Sequence, residues 1–277
     1  DAASSAAVVT LGGNWTNTGT FTSGTSTVTF TGKSTAHQTV TTAGQAFYNI
    51  TINNDEGTYD NIIISGDLDI DGGLTITDGK LILSTNDPAV TLAGNVSIAA
   101  LGTWTKQDNG TATTTFDGIT AATFEDLNST KQDLGLVTIN KTDTVAPGTN
   151  NKLTLKTATG NGMKVSTLTI DGTVGSPDTL DLNTGGYTLE IAGTGSSATP
   201  LTVSGTLTPG TSTVKYTATN SGGNVNVTTT TYNSLQFTPG AAESYDLTGS
   251  LTTTNAMTGS LTIDANATLD VRPAAID

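Results

Sequence analysis

Apolar residues along this chain come in short pairs, each pair split by one polar residue. Residues 66–84 read GDLDIDGGLTITDGKLILS. Leu68 and Ile70 alternate with Asp67, Asp69 and Asp71, and Gly72-Gly73 ends the run. Leu74 and Ile76 then alternate with Thr75 and Thr77, Asp78-Gly79 makes another turn, and Leu81 and Leu83 follow. A period of two sends one set of side chains to each face of a strand. The pairs therefore predict short strands with one buried face and one wet face. The glycine-bearing breaks predict corners or turns. Val90 and Leu92 stand 22 residues beyond Leu68 and Ile70, and Val96 and Ile98 continue the rhythm. The pattern returns in LTIDG at 168–172, TLDL at 179–182, TLEI at 188–191 and SLTI at 260–263.

Two all-β architectures produce this rhythm. In a parallel β-helix, three short strands and three corners make one coil of about 22 residues, and coils stack at about 4.8 Å. The chain would then hold roughly a dozen coils over on the order of 60 Å. In antiparallel β-sandwich domains, Asp78-Gly79 would instead be a two-residue hairpin turn. The parallel β-helix is favoured, because the apolar pairs are short and the corners fall too often for sandwich strands of normal length.

Longer repeats overlie the short ones. Residues 19–31, GTFTSGTSTVTFT, and 205–217, GTLTPGTSTVKYT, share nine of 13 positions without a gap. A degenerate copy runs from Gly102 to Phe116, with extra residues around Lys106 to Gly110. Aromatic landmarks follow at 47–52 (FYNITI), 124–127 (FEDL) and 232–237 (YNSLQF). Nested repeats of this kind suit a solenoid. They predict one elongated domain over 1–277 with units near 12–101, 102–200 and 201–277, the last truncated. The series G-T-F-T-x-G-T-S-T-V-T-F, then Gln38-Thr39-Val40, then F-Y-N-I-T-I-N resembles the Thr/Gly/Asn-rich repeats of large microbial cell-surface, adhesin-like proteins. That resemblance implies a right-handed parallel β-helix displayed outside the cell, and no particular ligand.

Composition sharpens the picture. Threonine occurs 62 times, and its branched Cβ favours strands over helices. Charged residues are only 12%, unlike the high charge of disordered chains. The chain has no Cys, which excludes disulfides and thiolate metal sites. The net charge is −14 and the only arginine is Arg272, so the basic stripe of a nucleic-acid binder is missing. Anionic membranes would repel such a chain, and no run of 18 apolar residues predicts a membrane span. Asp1–Ala7 reads as a mature end left after a signal peptide is removed.

Candidate chemistry is sparse. Residues 67–78 read D-x-D-x-D-G-x5-D, close to a calcium loop, which makes Asp67, Asp69, Asp71 and Asp78 the candidate ligands of a calcium ion. Leu68 and Ile70 stand where such a loop is polar, so the competing reading is a strand with an acidic outer face. His37 is the only histidine, which argues against nucleophilic triads and His-based metal sites. Glu125, Asp126, Asp178, Asp181 and Glu190 supply carboxylates from which a glycosidase pair could be drawn. Trp15, Phe21, Phe30, Trp104, Phe116 and Tyr216 occupy matching places in the repeats and are expected to pack in the core or corners, with a sugar-stacking platform as the alternative. Threonine is expected on the outer strand positions throughout, with no series of it at a single coil position.

These readings together predict an extracellular structural protein and no enzyme. It would be a self-associating surface, matrix or filament subunit joined through AAVVTL at 6–11 and TLDV at 268–271. A carbohydrate-binding adhesin module, with glycans as partners, is the first alternative. A polysaccharide-active enzyme on a β-helix is the second.

Overall fold

A computed structural model describes residues 6–32, 35–141, 150–172, 177–194, 198–251 and 257–271. Asp1–Ser5, which hold most of the expected mature end, lie outside the described residues. The chain winds into a β-solenoid of about ten turns, and every strand pair among the described residues is parallel. The sole helical element described is one 3-10 turn, Gly57–Tyr59. The antiparallel sandwich is thereby overturned. Asp78-Gly79 makes no hairpin: it bends one continuous strand, Leu74–Ile82, around a corner. Gly79 takes φ 91°, a conformation that costs a glycine nothing, and a Cβ there would meet the Asn54 carbonyl oxygen at 2.7 Å.

Each turn crosses three faces. Face I carries Val8–Leu11, Thr27–Phe30, Asn49–Asn53, the first halves of Leu74–Ile82 and Val96–Thr105, then Ala122–Asp126, Lys152–Leu155, Thr179–Asp181 and Thr206–Thr208. Face II carries Trp15–Thr16, Gln38–Thr41, Asn61–Ser65, the second halves of the two long strands, and later Gly162–Val165, Thr188–Ile191, Thr213–Tyr216, Ser234–Phe237 and Leu261–Ile263. Face III runs from Leu68–Ile70 through Val90–Leu92, Thr113–Phe116, Leu136–Ile139 and Thr167–Ile170 to Leu201–Val203. It resumes with Val225–Val227, Glu243–Leu247 and Ala267–Asp270.

The aliphatic pairs line the inside as the alternation predicts. On face I, Val28, Ile50, Leu74 and Val96 stack in register, each almost fully buried. On face III, Ile70, Leu92, Phe116, Ile139 and Ile170 form a second buried column. Toward the C-terminus the filling turns aromatic: Tyr216, Phe237 and Tyr245 pack with ring centroids 4.7–6.1 Å apart. The turn count falls short of a dozen because the coil lengthens. Asp69 and Thr91, on adjacent rungs, are 22 residues apart, but Glu125 and Lys156 are 31 apart. Extra residues leave at the corners, and the strands stay in register.

The two best-matched repeat copies land on different faces. Thr27–Phe30 lies on face I and its counterpart Thr213–Tyr216 on face II. What is kept is local. Ile50 of FYNITI stacks directly on Val28, and Leu235 of YNSLQF stacks directly on Val214. The sequence repeat is thus a two-rung module, indifferent to which side of the solenoid it occupies.

Candidate functional site

The four candidate calcium ligands are split between two faces. Asp67, Asp69 and Asp71 flank and interrupt Leu68–Ile70 on face III, whereas Asp78 sits at the corner of faces I and II. Each strand residue advances about 3.3 Å, so alternate outward carboxylates on one strand start about 7 Å apart. Asp67 Oδ1 accepts the Ala89 N–H at 3.0 Å, Asp69 Oδ1 accepts the Thr91 hydroxyl at 2.7 Å, and Asp78 Oδ1 accepts its neighbour Gly79 N–H at 2.8 Å. The structure does not bring the four together. Among the described residues, no group of three or more His, Asp or Glu side chains is arranged to hold a metal ion. The reason is the one seen in the sequence: Leu68 and Ile70 point inward and keep the segment a strand.

The structure instead gathers acidic groups along the axis. Backbone hydrogen bonds place Asp71, Ala93, Asp117, Asn140 and Asp171 at one coil position on successive rungs. Partial burial, then the charge of Asp69, raises the Asp71 carboxyl above its ordinary range. Asp117 is raised the same way, burial first and Asp69 second. Lys141 is the built-in counter-ion. Its ammonium is buried and donates to the Asp117 and Ala93 carbonyl oxygens, and burial lowers its pKa despite both nearby carboxylates. The Lys141 N–H donates to Asp178 Oδ2 at 3.1 Å. Asp178 is 2% exposed, its Oδ1 has no partner, and burial pushes its carboxyl up to about 6. The meeting of Lys141 with Asp178 escapes sequence reasoning because the two stand 37 residues apart and share no motif.

The other carboxylates are already engaged. Glu125 accepts from Ser97 and pairs with Lys156 at 3.0 Å, and Asp181 pairs with Lys152 at 2.8 Å. Asp126 points inward, in register with Ile98. Face II carries a ladder of alternating charge: Asp133, Lys164, Glu190 and Lys215 lie in register on successive rungs. Glu190 is 3.1 Å from Lys164 and 3.7 Å from Lys215. Outward threonines do form series at single coil positions, contrary to the sequence reading. Thr10, Thr29, Thr51 and Thr75 stack on face I, and Thr91, Thr115, Thr138, Thr169 and Thr202 on face III. Unequal coil lengths hide both series in the sequence.

No protein-family model, no curated protein and no solved structure matches the chain.

The aromatics pack inside, as expected. Phe30, Trp104, Phe116 and Tyr216 are buried, and Trp15 and Phe21 are half-buried against Phe47 at 5.1 and 5.7 Å between ring centroids. None of the chain's Phe, Tyr or Trp side chains is fully exposed. Of the eight exposed large apolar side chains among the described residues, Leu101, Ile119 and Leu127 lie along the length of the solenoid and the other five at its two ends. Val8 and Val9 are exposed on the first described rung, and Leu261, Ile263 and Val271 on the last. Val9 is in register with buried Val28, and Leu261 and Ile263 with buried Leu235 and Phe237. These are core positions with no described rung beyond them. Among the described residues, Val8–Leu11, Leu261–Ile263 and Ala267–Asp270 each have one strand neighbour.

Proposed function

We propose that this chain is a rod-like structural subunit of an extracellular surface, matrix or filament, extended by stacking its terminal rungs on further copies. The observation that carries the reading is the pair of open ends. Among the described residues, each presents core-register aliphatics and a parallel strand edge with no further strand beside it, the arrangement that templates strand addition. The face order supports it. The first described strand lies on face I and the last on face III, so a second copy set on the last rung continues the sequence I, II, III. The contact surface then includes both segments singled out in the sequence, 6–11 and 268–271. The long sides support it as well, because ion pairs between successive rungs, Lys152–Asp181, Lys156–Glu125 and Lys164–Glu190, brace the column along its axis. An extracellular setting is favoured by the Thr-rich composition and the absence of cysteine.

The test is association of the full chain. Sedimentation should show concentration-dependent assembly, and electron microscopy should show rods longer than one molecule. Leu261→Asp combined with Ile263→Asp should shift the protein to monomer, since two carboxylates would have to be buried without partners. A wild-type chain that stays monomeric at high concentration, with no rods, would sink the reading.

A further inference from the structure

We infer that Asn109 is a site of self-modification: the Gly110 backbone nitrogen attacks its side-chain amide, and the residue passes through a cyclic imide to aspartate or isoaspartate. The chain holds two Asn-Gly dipeptides, Asn109-Gly110 and Asn161-Gly162. Glycine hinders such an attack least, because it has no side chain. The fold leaves the first dipeptide free to react and locks the second. The inference is independent of end-to-end stacking.

Asn109, Gly110 and Thr111 are all exposed, in the corner loop between Val96–Thr105 and Thr113–Phe116. Asp87 Oδ1 accepts the Asp108 and Asn109 N–H groups at 2.8 and 3.4 Å, which ties the base of the loop to the preceding rung. Asn109 Oδ1 accepts the Thr111 and Ala112 N–H groups, both at 2.9 Å. Two donors on that oxygen stabilise the negative charge it gains when the carbonyl carbon is attacked, as in an oxyanion hole. Among the described residues, the Asn109 amide nitrogen, which must leave, donates to no acceptor, and neither does the Gly110 N–H, which must first lose its proton. Open space surrounds the turn: a Cβ on Gly110 would meet nothing within 4 Å.

Asn161 is the built-in control. It is 5% exposed, and its Nδ2 donates to the Lys156 and Phe124 carbonyl oxygens at 2.7 and 3.3 Å. Its Oδ1 accepts the Asp126 N–H at 3.0 Å and the Gly162 N–H at 2.8 Å, so the nitrogen that would attack is committed to a hydrogen bond. Gly162 also begins the strand Gly162–Val165, in register with Thr188. Asn161 can react only while its rung is open, a small fraction of the time. The chemistry needs no partner but water. The Gly110 N–H gives its proton to solvent base, the N–Cγ bond forms, the Cγ–Nδ2 bond breaks and ammonia leaves. Water then opens the imide at either carbonyl and returns a proton to the nitrogen. One opening gives aspartate, and the other gives isoaspartate, whose main chain runs through the side-chain carbons. Either product adds one negative charge to a chain already at −14.

Peptide mapping by mass spectrometry tests this on the full chain, incubated at mildly alkaline pH in heavy-oxygen water so that each conversion is labelled. In the folded chain Asn109 should convert about tenfold or more faster than Asn161, and in concentrated urea the two rates should come within about threefold of each other. A later-eluting species on anion exchange should grow in step with conversion at Asn109. Gly110→Ala should slow that conversion severalfold while the circular dichroism spectrum is retained. Should Gly110→Ala disturb the loop, Asn109→Gln, which would have to close a larger ring, should stay unconverted over the same period. An Asn109 that keeps its amide in the folded chain overturns the inference, as do equal rates at the two sites before urea is added. A difference that persists in urea also overturns it, because local sequence and not the fold would then select the site.

Discussion

Asp178 shows what a buried charge does to a single rung. Its carboxyl is raised from 3.8 to about 6, mainly by burial, so the folded chain binds the proton more tightly than the unfolded chain does. The stability that it contributes is therefore full below about pH 4 and is lost as pH rises through about 6. Two pKa units correspond to at most about 3 kcal/mol. Asp178→Asn keeps an oxygen for the Lys141 N–H and removes the charge. It should stabilise the fold by about 1–3 kcal/mol at pH 7.5 and by nothing measurable at pH 3.5, read from denaturant melts at both pH values. A variant no more stable than wild type at pH 7.5 would contradict this account. Asp126 is the opposite case. It occupies an inward position, but its carboxylate accepts Asn128 N at 3.0 Å, Asn128 Nδ2 at 2.9 Å and Gln132 N at 2.7 Å. Asp126→Ala should cost about 3 kcal/mol or more, because three donors lose a charged acceptor at once.

Corners decide whether an element can turn without leaving the stack. Gly94 is stacked so closely on Gly72 that a Cβ would lie 2.1 Å from the Gly72 carbonyl oxygen. Gly94→Ala should destabilise the fold by about 1–3 kcal/mol through overpacking. Gly13→Ala, where a Cβ meets nothing within 4 Å, should be close to neutral. Thermal melts of the two variants side by side check the contrast. The strands are less sensitive to outward changes. Lys152 and Asp181 are partly exposed, and such a pair is worth about 0–1 kcal/mol. Lys152→Ala should shift the melt only slightly. The strands themselves were legible: Leu68–Ile70, Leu74–Ile76 and Val90–Leu92 follow from alternation alone. The corner at Asp78-Gly79 was not, because the same dipeptide serves a hairpin or a parallel bend, and only the neighbouring rung at Asn54 selects between them.

At the scale of the molecule, stability is spread along one axis. Ten stacked turns at about 4.8 Å make a column roughly 45–50 Å tall. Each rung covers its two neighbours, so local damage spreads to adjacent rungs. Phe237→Ala, in the aromatic filling near the C-terminus, should cost about 3–5 kcal/mol of local stability. Hydrogen exchange should accelerate first in Thr213–Tyr216 and Glu243–Leu247, whose Tyr216 and Tyr245 touch the Phe237 ring, and last in the N-terminal turns. Uniform acceleration along the chain would show a single cooperative unit instead.

The order of residues settled what depends on near neighbours: period-two alternation set the strands, their buried faces and the placing of carboxylates and hydroxyls outside. Which rung lies on which is a matter of coil length, and coil length changes wherever a corner gains residues. For that reason only the folded stack aligned the threonine columns, seated Lys141 among the aspartates and parted Asp78 from Asp69.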